Sequence, residues 1–135
     1  WNTVSSYDWG TGASDLEIDT LIRRLFAALN AADLAGLGSL YAANSAHVTS
    51  DRTLFGVGSI VAWYQALLTN KLPGAVFTLT SLTGAGNSRT AKWTAASSRG
   101  QVQDGEDNFG ILNKQIVYHA THFTIISDQP QPAPT

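Results

Sequence analysis

Cysteine and methionine are both absent from this chain of 135 residues. Without cysteine there is neither a disulfide framework nor a thiolate zinc site. Without methionine even at position 1, the chain is expected to be a processed or excised piece whose start at Trp1 is not a translation start. Charge is also scarce, at 13% of residues against a usual value of roughly 25%. The eight Lys plus Arg are scattered and the formal net charge is −2. That balance excludes a nucleic-acid groove and a polybasic membrane surface. No apolar run approaches the ~18 residues of a membrane span. The opening Trp1–Gly10 has neither the charged nor the apolar region of a signal peptide. Proline is nearly confined to the tail Gln129–Thr135, which holds three of the four.

What is present divides into three stretches. Residues 1–13 are expected to be a leader or the remnant of a preceding segment. Its large aromatics, Trp1, Tyr7 and Trp9, are expected to pack back on the domain or belong to a preceding one. Residues 128–135 are expected to be a Pro-rich linker or tail, because alternating proline forbids helix and sheet ladder alike. Such a tail fits the connectors of secreted or surface multidomain proteins as well as a plain disordered end, so the cellular address stays open. Residues 14–127 are long enough, in a chain that is 44% apolar, to bury one core.

Within 14–127 the period of the apolar residues changes once. Ser14-Asp15-Leu16-Glu17 fits a capping box, and Ile18, Leu21, Ile22, Leu25, Phe26 and Leu29 then form one helical face. Asp33 caps a second helix predicted to carry Leu34, Leu37, Leu40 and Tyr41. A brief strand, His47–Thr49, and a loop through Asp51 and Arg52 follow. A third helix is predicted over Ser59–Lys71, ended by Pro73-Gly74. From Ala75 the period becomes two, giving predicted strands at Ala75–Leu82, Arg89–Ser98 and Gln115–Ile126, with a shorter one near Asp107–Leu112. The last strand alternates Val117, His119, Thr121, Phe123 and Ile125 against Ile116, Tyr118, Ala120 and His122. Helices first and a hairpin-connected sheet afterwards is an α+β pattern. A mostly antiparallel, curved sheet wrapped on the helices would make a cone with a pocket between the layers.

The stretch Leu21–Leu34 resembles the first helix and turn of the NTF2-like superfamily, in its SnoaL-like and ketosteroid isomerase branch. The resemblance continues through Leu40-Tyr41-Ala42, His47–Thr49, Phe55–Ile60 into Trp63-Tyr64, Leu72–Val76, Asp107-Asn108-Phe109 and Ile116–Phe123, covering roughly 15–126. It implies an NTF2-like (cystatin-like) cone, often a homodimer through the sheet. As to activity it implies little, since isomerases, dehydratases, cyclases, epoxide hydrolases and plain binding modules share this cone. Ketosteroid isomerisation needs a carboxylate base and an oxyanion hole of a tyrosine and a protonated aspartic acid. On the resemblance the tyrosine falls on Leu25 and the base on Thr49, and only Asp107, in an Asp-x-Phe motif, is matched. With two roles unfilled this isomerisation is not expected.

Two candidate acid/base residues remain. Asp107 either faces the cone, partly desolvated, or caps a turn in the acidic loop Asp104–Asp107 and stays solvated. His119 shares a predicted face with Thr121 and Phe123 and is either an acid/base group or a core histidine bonded to a neighbour. His122 is expected on the outer sheet face, and His47 could reach the pocket mouth. His119-x-x-His122 on a strand puts the two rings on opposite faces, so no metal site is expected; no other cofactor is expected. Tyr41, Trp63, Tyr64, Phe77, Trp93, Phe109, Thr121 and Phe123 are the expected lining for a small apolar or semi-polar ligand, against the alternative that the aromatics are plain core. A binding or accessory domain is the favoured reading. An isomerase, cyclase or dehydratase using Asp107 and His119 is the alternative, and a dimerisation or spacer domain the second.

Overall fold

A computed structural model describes residues 14–127; the expectations for the leader and the tail lie outside these residues. The first helix, α1 (Asp15–Ala31), begins with the full capping box: Ser14 accepts from the Glu17 amide, and Glu17 accepts from the Ser14 amide. Its buried face is Ile18, Leu21, Ile22, Leu25, Phe26 and Leu29, the stripe read from spacing alone. Two polar ties fix this helix to the sheet. Asn30 donates to the Phe77 carbonyl at 3.0 Å and accepts from the Phe77 amide at 2.6 Å. Arg89, 2% exposed, pairs with Asp19 at 2.7 Å and Asp15 at 2.9 Å.

The second helix, α2 (Leu34–Ser39), starts on the Asp33 cap but stops before Leu40 and Tyr41. Tyr41 instead opens strand β1 (Tyr41–Val48), because its partner Ile116 and the bond from the Ile116 amide to the Leu40 carbonyl draw the chain into the sheet. Gly36 and Gly38 make α2 too weak to resist. A short β2 (Thr53–Phe55) replaces part of the expected loop. The third helix, α3 (Val57–Ala66), runs on through a π-helical turn at Leu67–Lys71.

Strands β3 (Val76–Thr83), β4 (Ser88–Ala96), β5 (Gly100–Leu112), β6 (Gln115–His122) and β7 (Ile126–Ser127) complete a seven-stranded sheet of order β2-β1-β6-β5-β4-β3, with β7 on β5. Among the described residues only β1 and β6 pair parallel; the other pairs are antiparallel. Register shifts in β1/β6, β3/β4, β4/β5 and β5/β6 supply the local bending that curves a sheet.

Three strand expectations need correction. β5 is more than twice as long as expected because Asp104-Gly105-Glu106 continues the strand rather than turning. Gly105 lies under Trp93, where a Cβ would collide with the indole, so the glycine marks a close approach and not a turn. β6 ends at His122, leaving Phe123–Ile125 outside any strand. The alternation in β6 also breaks: Gly110 pairs Tyr118 and Ile111 pairs Ile116, so Val117 is a bulge. Ile116 is therefore buried on the same face as His119 rather than opposite it.

Candidate functional site

Register places the polar residues. Across the adjacent strands β1, β6 and β5, His47 pairs His119 and His119 pairs Phe109. Three stacked rings result, with centroids 4.5 Å apart for His47–His119 and 4.2 Å for His119–Phe109. Asp107 pairs Thr121 in the same register. The α3 helix lays Tyr64 and Trp63 over this row: Trp63 meets His47 edge-on at 4.7 Å, and Tyr64 stacks on it at 6.1 Å.

The polar atoms form one branched chain. Asp107 Oδ2 lies 3.1 Å from His119 Nε2, and Asp107 Oδ1 accepts from Trp93 Nε1–H at 3.1 Å. A carboxylate only accepts, so the His119 hydrogen on this side sits on Nε2. The other ring nitrogen, Nδ1, is 2.7 Å from the Tyr41 hydroxyl, which is 2.6 Å from the Tyr64 hydroxyl. Thr121 Oγ1 lies 3.1 Å from His119 Nε2 and 2.8 Å from His47 Nε2. All seven side chains of this branched chain, Asp107 and Trp93 included, are at least nine-tenths buried.

Burial governs their protonation. It holds Tyr41 well above the usual phenol range, with the neighbouring Tyr64 adding to the effect, and it raises Tyr64 too, helped by the charge of Asp107. Burial, and after it the proximity of His119, pulls His47 down to about 3, so His47 is neutral at any ordinary pH.

Beside this buried chain lies an open cleft of about 730 Å³ between α3 and the end of β6. Its apolar walls are Leu54, Trp63, Leu67, Phe123 and Ile125; Thr49, Ser59, Thr121 and Thr124 bring hydroxyls, and Asp51, Arg52 and Lys71 bring charge. Of the residues expected to line a pocket, Trp63, Thr121 and Phe123 do so. Tyr41, Tyr64, Phe77, Trp93 and Phe109 do not: each is 3–4% exposed and packed into the core. Phe77 and Trp93 fill the space under α1, with Trp93 5.6 Å from Phe77 and 6.4 Å from Phe26. The inner end of the cone is thus occupied by side chains, and open volume begins at Trp63 and Thr121.

Asp107 is 4% exposed, which corrects the solvated-turn alternative, and it touches His119 directly. Sequence reasoning gave His47 little weight and passed over Ser45. Both are fully buried on β1, and their Oγ and Nδ1 atoms have no partner among the described residues. The signal was present: at the inward positions 41, 45 and 47 of one strand the sequence puts tyrosine, serine and histidine. Leu25 is fully buried, and Thr49 lies at the cleft with its hydroxyl in a local turn, accepting from the Asp51 and Arg52 amides. His122 is exposed on the outer face, away from His119. Among the described residues no group of three or more His, Asp or Glu is placed to hold a metal ion, and no helix is long and apolar enough to cross a membrane.

The family model described as SnoaL-like domain matches residues 22–119. No curated protein matches the sequence. Among solved structures, a SnoaL-like protein of unknown function from Burkholderia thailandensis is similar at 17% identity and a TM-score of 0.71, over 83% of this chain and 98% of that one. A protein of unknown function with cystatin-like fold from Methylobium petroleophilum is similar at 14% identity and a TM-score of 0.71, over 90% and 82%. A de novo designed protein with curved β-sheet is similar at 12% identity and a TM-score of 0.73, over 83% and 88%. These likenesses carry the fold and not the chemistry.

Proposed function

The chain belongs to the SnoaL-like domain family, and from that premise we propose that it binds a small apolar or semi-polar molecule in the cleft between α3 and β6. One observation carries the reading. The cleft of about 730 Å³ has an apolar wall of Trp63, Leu54, Leu67 and Phe123, and its polar floor residue, Thr121, is bonded to both inner histidines. Small-molecule sites are commonly of this size, and an apolar wall facing hydroxyl and charged side chains suits a molecule with both an apolar body and a polar group. The test is a titration with an anilinonaphthalene dye followed by its fluorescence. The wild type is expected to bind it and Trp63→Ala to bind it several-fold more weakly. Equal binding by both proteins would overturn the reading.

A second reading, acid–base catalysis on a molecule of the same class, is favoured by the contact of Asp107 with His119 in a place shielded from water. It expects Asp107→Asn to abolish turnover while leaving dye affinity nearly unchanged. We also propose a homodimer through the outer sheet face, where Val76 and Tyr118 are exposed. Sedimentation at micromolar concentration would show a dimer, and Tyr118→Lys is expected to shift it to monomer.

A further inference from the structure

Two cations line the cleft from different elements: Arg52 in the turn between β1 and β2, and Lys71 at the end of the π-helical turn that follows α3. Among the described residues neither side chain has an ion pair or a hydrogen bond, whereas Arg89 and Lys114 are both paired with acids. Against the two cations the lining sets one acid, Asp51. The cleft therefore carries net positive charge, in a chain whose formal net charge is −2.

The backbone builds both positions. Thr49 ties down the turn that carries Arg52: its hydroxyl donates to the Arg52 carbonyl at 3.1 Å and accepts from the Asp51 and Arg52 amides, while its amide donates to the same carbonyl at 2.9 Å. Lys71 is brought to the cleft by one extra residue in the helix. On α3 the lining residues Ser59, Ala62, Trp63 and Ala66 recur at steps of three and four, the spacing of a single α-helical face. One more α-helical turn would bring Asn70 to that face, four positions after Ala66. The chain makes a π turn instead, with the Leu72 amide donating to the Leu67 carbonyl, five positions back, at 2.8 Å. The face shifts by one residue, and Lys71 lines the cleft in place of Asn70. Single π turns of this kind are frequent at functional sites. Here the turn exchanges an amide for a cation.

We propose that the cleft selects a carboxylic acid with an apolar body, whose negative charge is met by Lys71 and favoured further by the field of Arg52. The apolar body lies against Trp63, Leu54, Leu67 and Phe123. A neutral ligand would leave both cations unused, and a cationic one would be repelled by them. This rests on the cleft being the binding site, and it adds the charge of the ligand and the residue that reads it.

A matched pair of probes tests it: 2-naphthoic acid and 2-naphthamide, nearly equal in shape, titrated at pH 7 and low salt against the Trp63 indole resonance. The acid is ionised at that pH and the amide is neutral. The wild type is expected to bind the acid about tenfold more tightly than the amide, with the preference shrinking at high salt. Lys71→Gln is expected to weaken the acid about fivefold and leave the amide unchanged, the amide serving as the check that the cleft is intact. Asn70→Lys combined with Lys71→Asn keeps the net charge of the protein, and is expected to bind the acid as weakly as Lys71→Gln. Asp51→Asn, which removes the opposing charge, is expected to tighten the acid about twofold. Acid and amide losing affinity alike in Lys71→Gln, or the exchanged pair binding the acid as the wild type does, overturns the proposal. If acid and amide move the wild-type Trp63 resonance with equal affinity, the cleft reading stands and the charge selection is wrong. If neither moves it, both fall.

Discussion

Replacing Asp107 by Asn changes one atom and forces a choice on the whole buried chain. The carboxylate accepts from two donors at once, Trp93 Nε1–H and His119 Nε2–H. An amide has one oxygen and one NH₂ group, so one donor must now face another donor. Trp93 cannot move its hydrogen, so the amide oxygen is expected to turn to Trp93 and the NH₂ to His119. His119 then has to release its Nε2 hydrogen and carry it on Nδ1, where it donates to the Tyr41 oxygen; Tyr41 in turn donates to Tyr64. The charge-assisted bond is lost and two hydroxyls reorient, which is expected to cost about 1–3 kcal/mol. Domains of this size are usually stable by roughly 5–15 kcal/mol, so the variant stays folded and melts lower, by roughly 3 °C or more per kcal/mol. The assay is a long-range ¹H–¹⁵N spectrum of the histidine rings, together with denaturant unfolding. Exchange of the His119 hydrogen from Nε2 to Nδ1 with a stability loss in this range is the expected result. An unchanged His119 tautomer and unchanged stability would refute the bonding pattern on which the site rests.

Three further outcomes follow from packing and burial. Gly105→Ala is expected to displace the Trp93 indole and weaken its bond to Asp107, at a cost of about 1–3 kcal/mol; unfolding should show the loss and Trp fluorescence the displacement. Leu25→Ala, at a fully buried position, is expected to lose ~2–5 kcal/mol, measured in the same way. The depressed His47 fixes a sign for pH dependence: between its unfolded value near 6.5 and its folded value of about 3, the unfolded chain binds a proton that the folded one refuses. Its stabilising share is therefore whole above the unfolded value and declines as pH falls, by up to about 1.4 kcal/mol per pH unit. His47→Phe should flatten urea midpoints between pH 6.5 and 5, and an unchanged slope would count against a neutral, buried ring.

The parts of the fold legible in sequence are those set locally. The capping box and the buried stripe of α1 depend on residues three and four apart, and all six stripe residues are buried where spacing put them. Asp107 and His119 were each legible as candidates with two readings open, facing the cone or not; the contact between them depends on the β5–β6 register, which the sequence does not show. The rest depends on strands distant in sequence. Tyr41 leaves its helix because Ile116, 75 positions away, claims it as a strand partner. The bulge at Val117 puts Ile116 and His119 on one face, and a period-two reading has no way to register an inserted residue. Gly105 resembles a turn residue until Trp93 is known to lie on it. The pocket was misplaced for the same reason: the aromatics Phe77, Trp93 and Phe109 fill the inner cone, so the open volume lies nearer its mouth.

The most direct measurement is the pair of indole N–H resonances from Trp63 and Trp93 during a titration with 2-naphthol, an aromatic body bearing one hydroxyl. Trp63 lines the cleft while Trp93 is bonded to Asp107 in the core. Saturable movement of Trp63, with Trp93 nearly still, is the expected result; movement of Trp93 alone, or of neither, would contradict a binding site between α3 and β6.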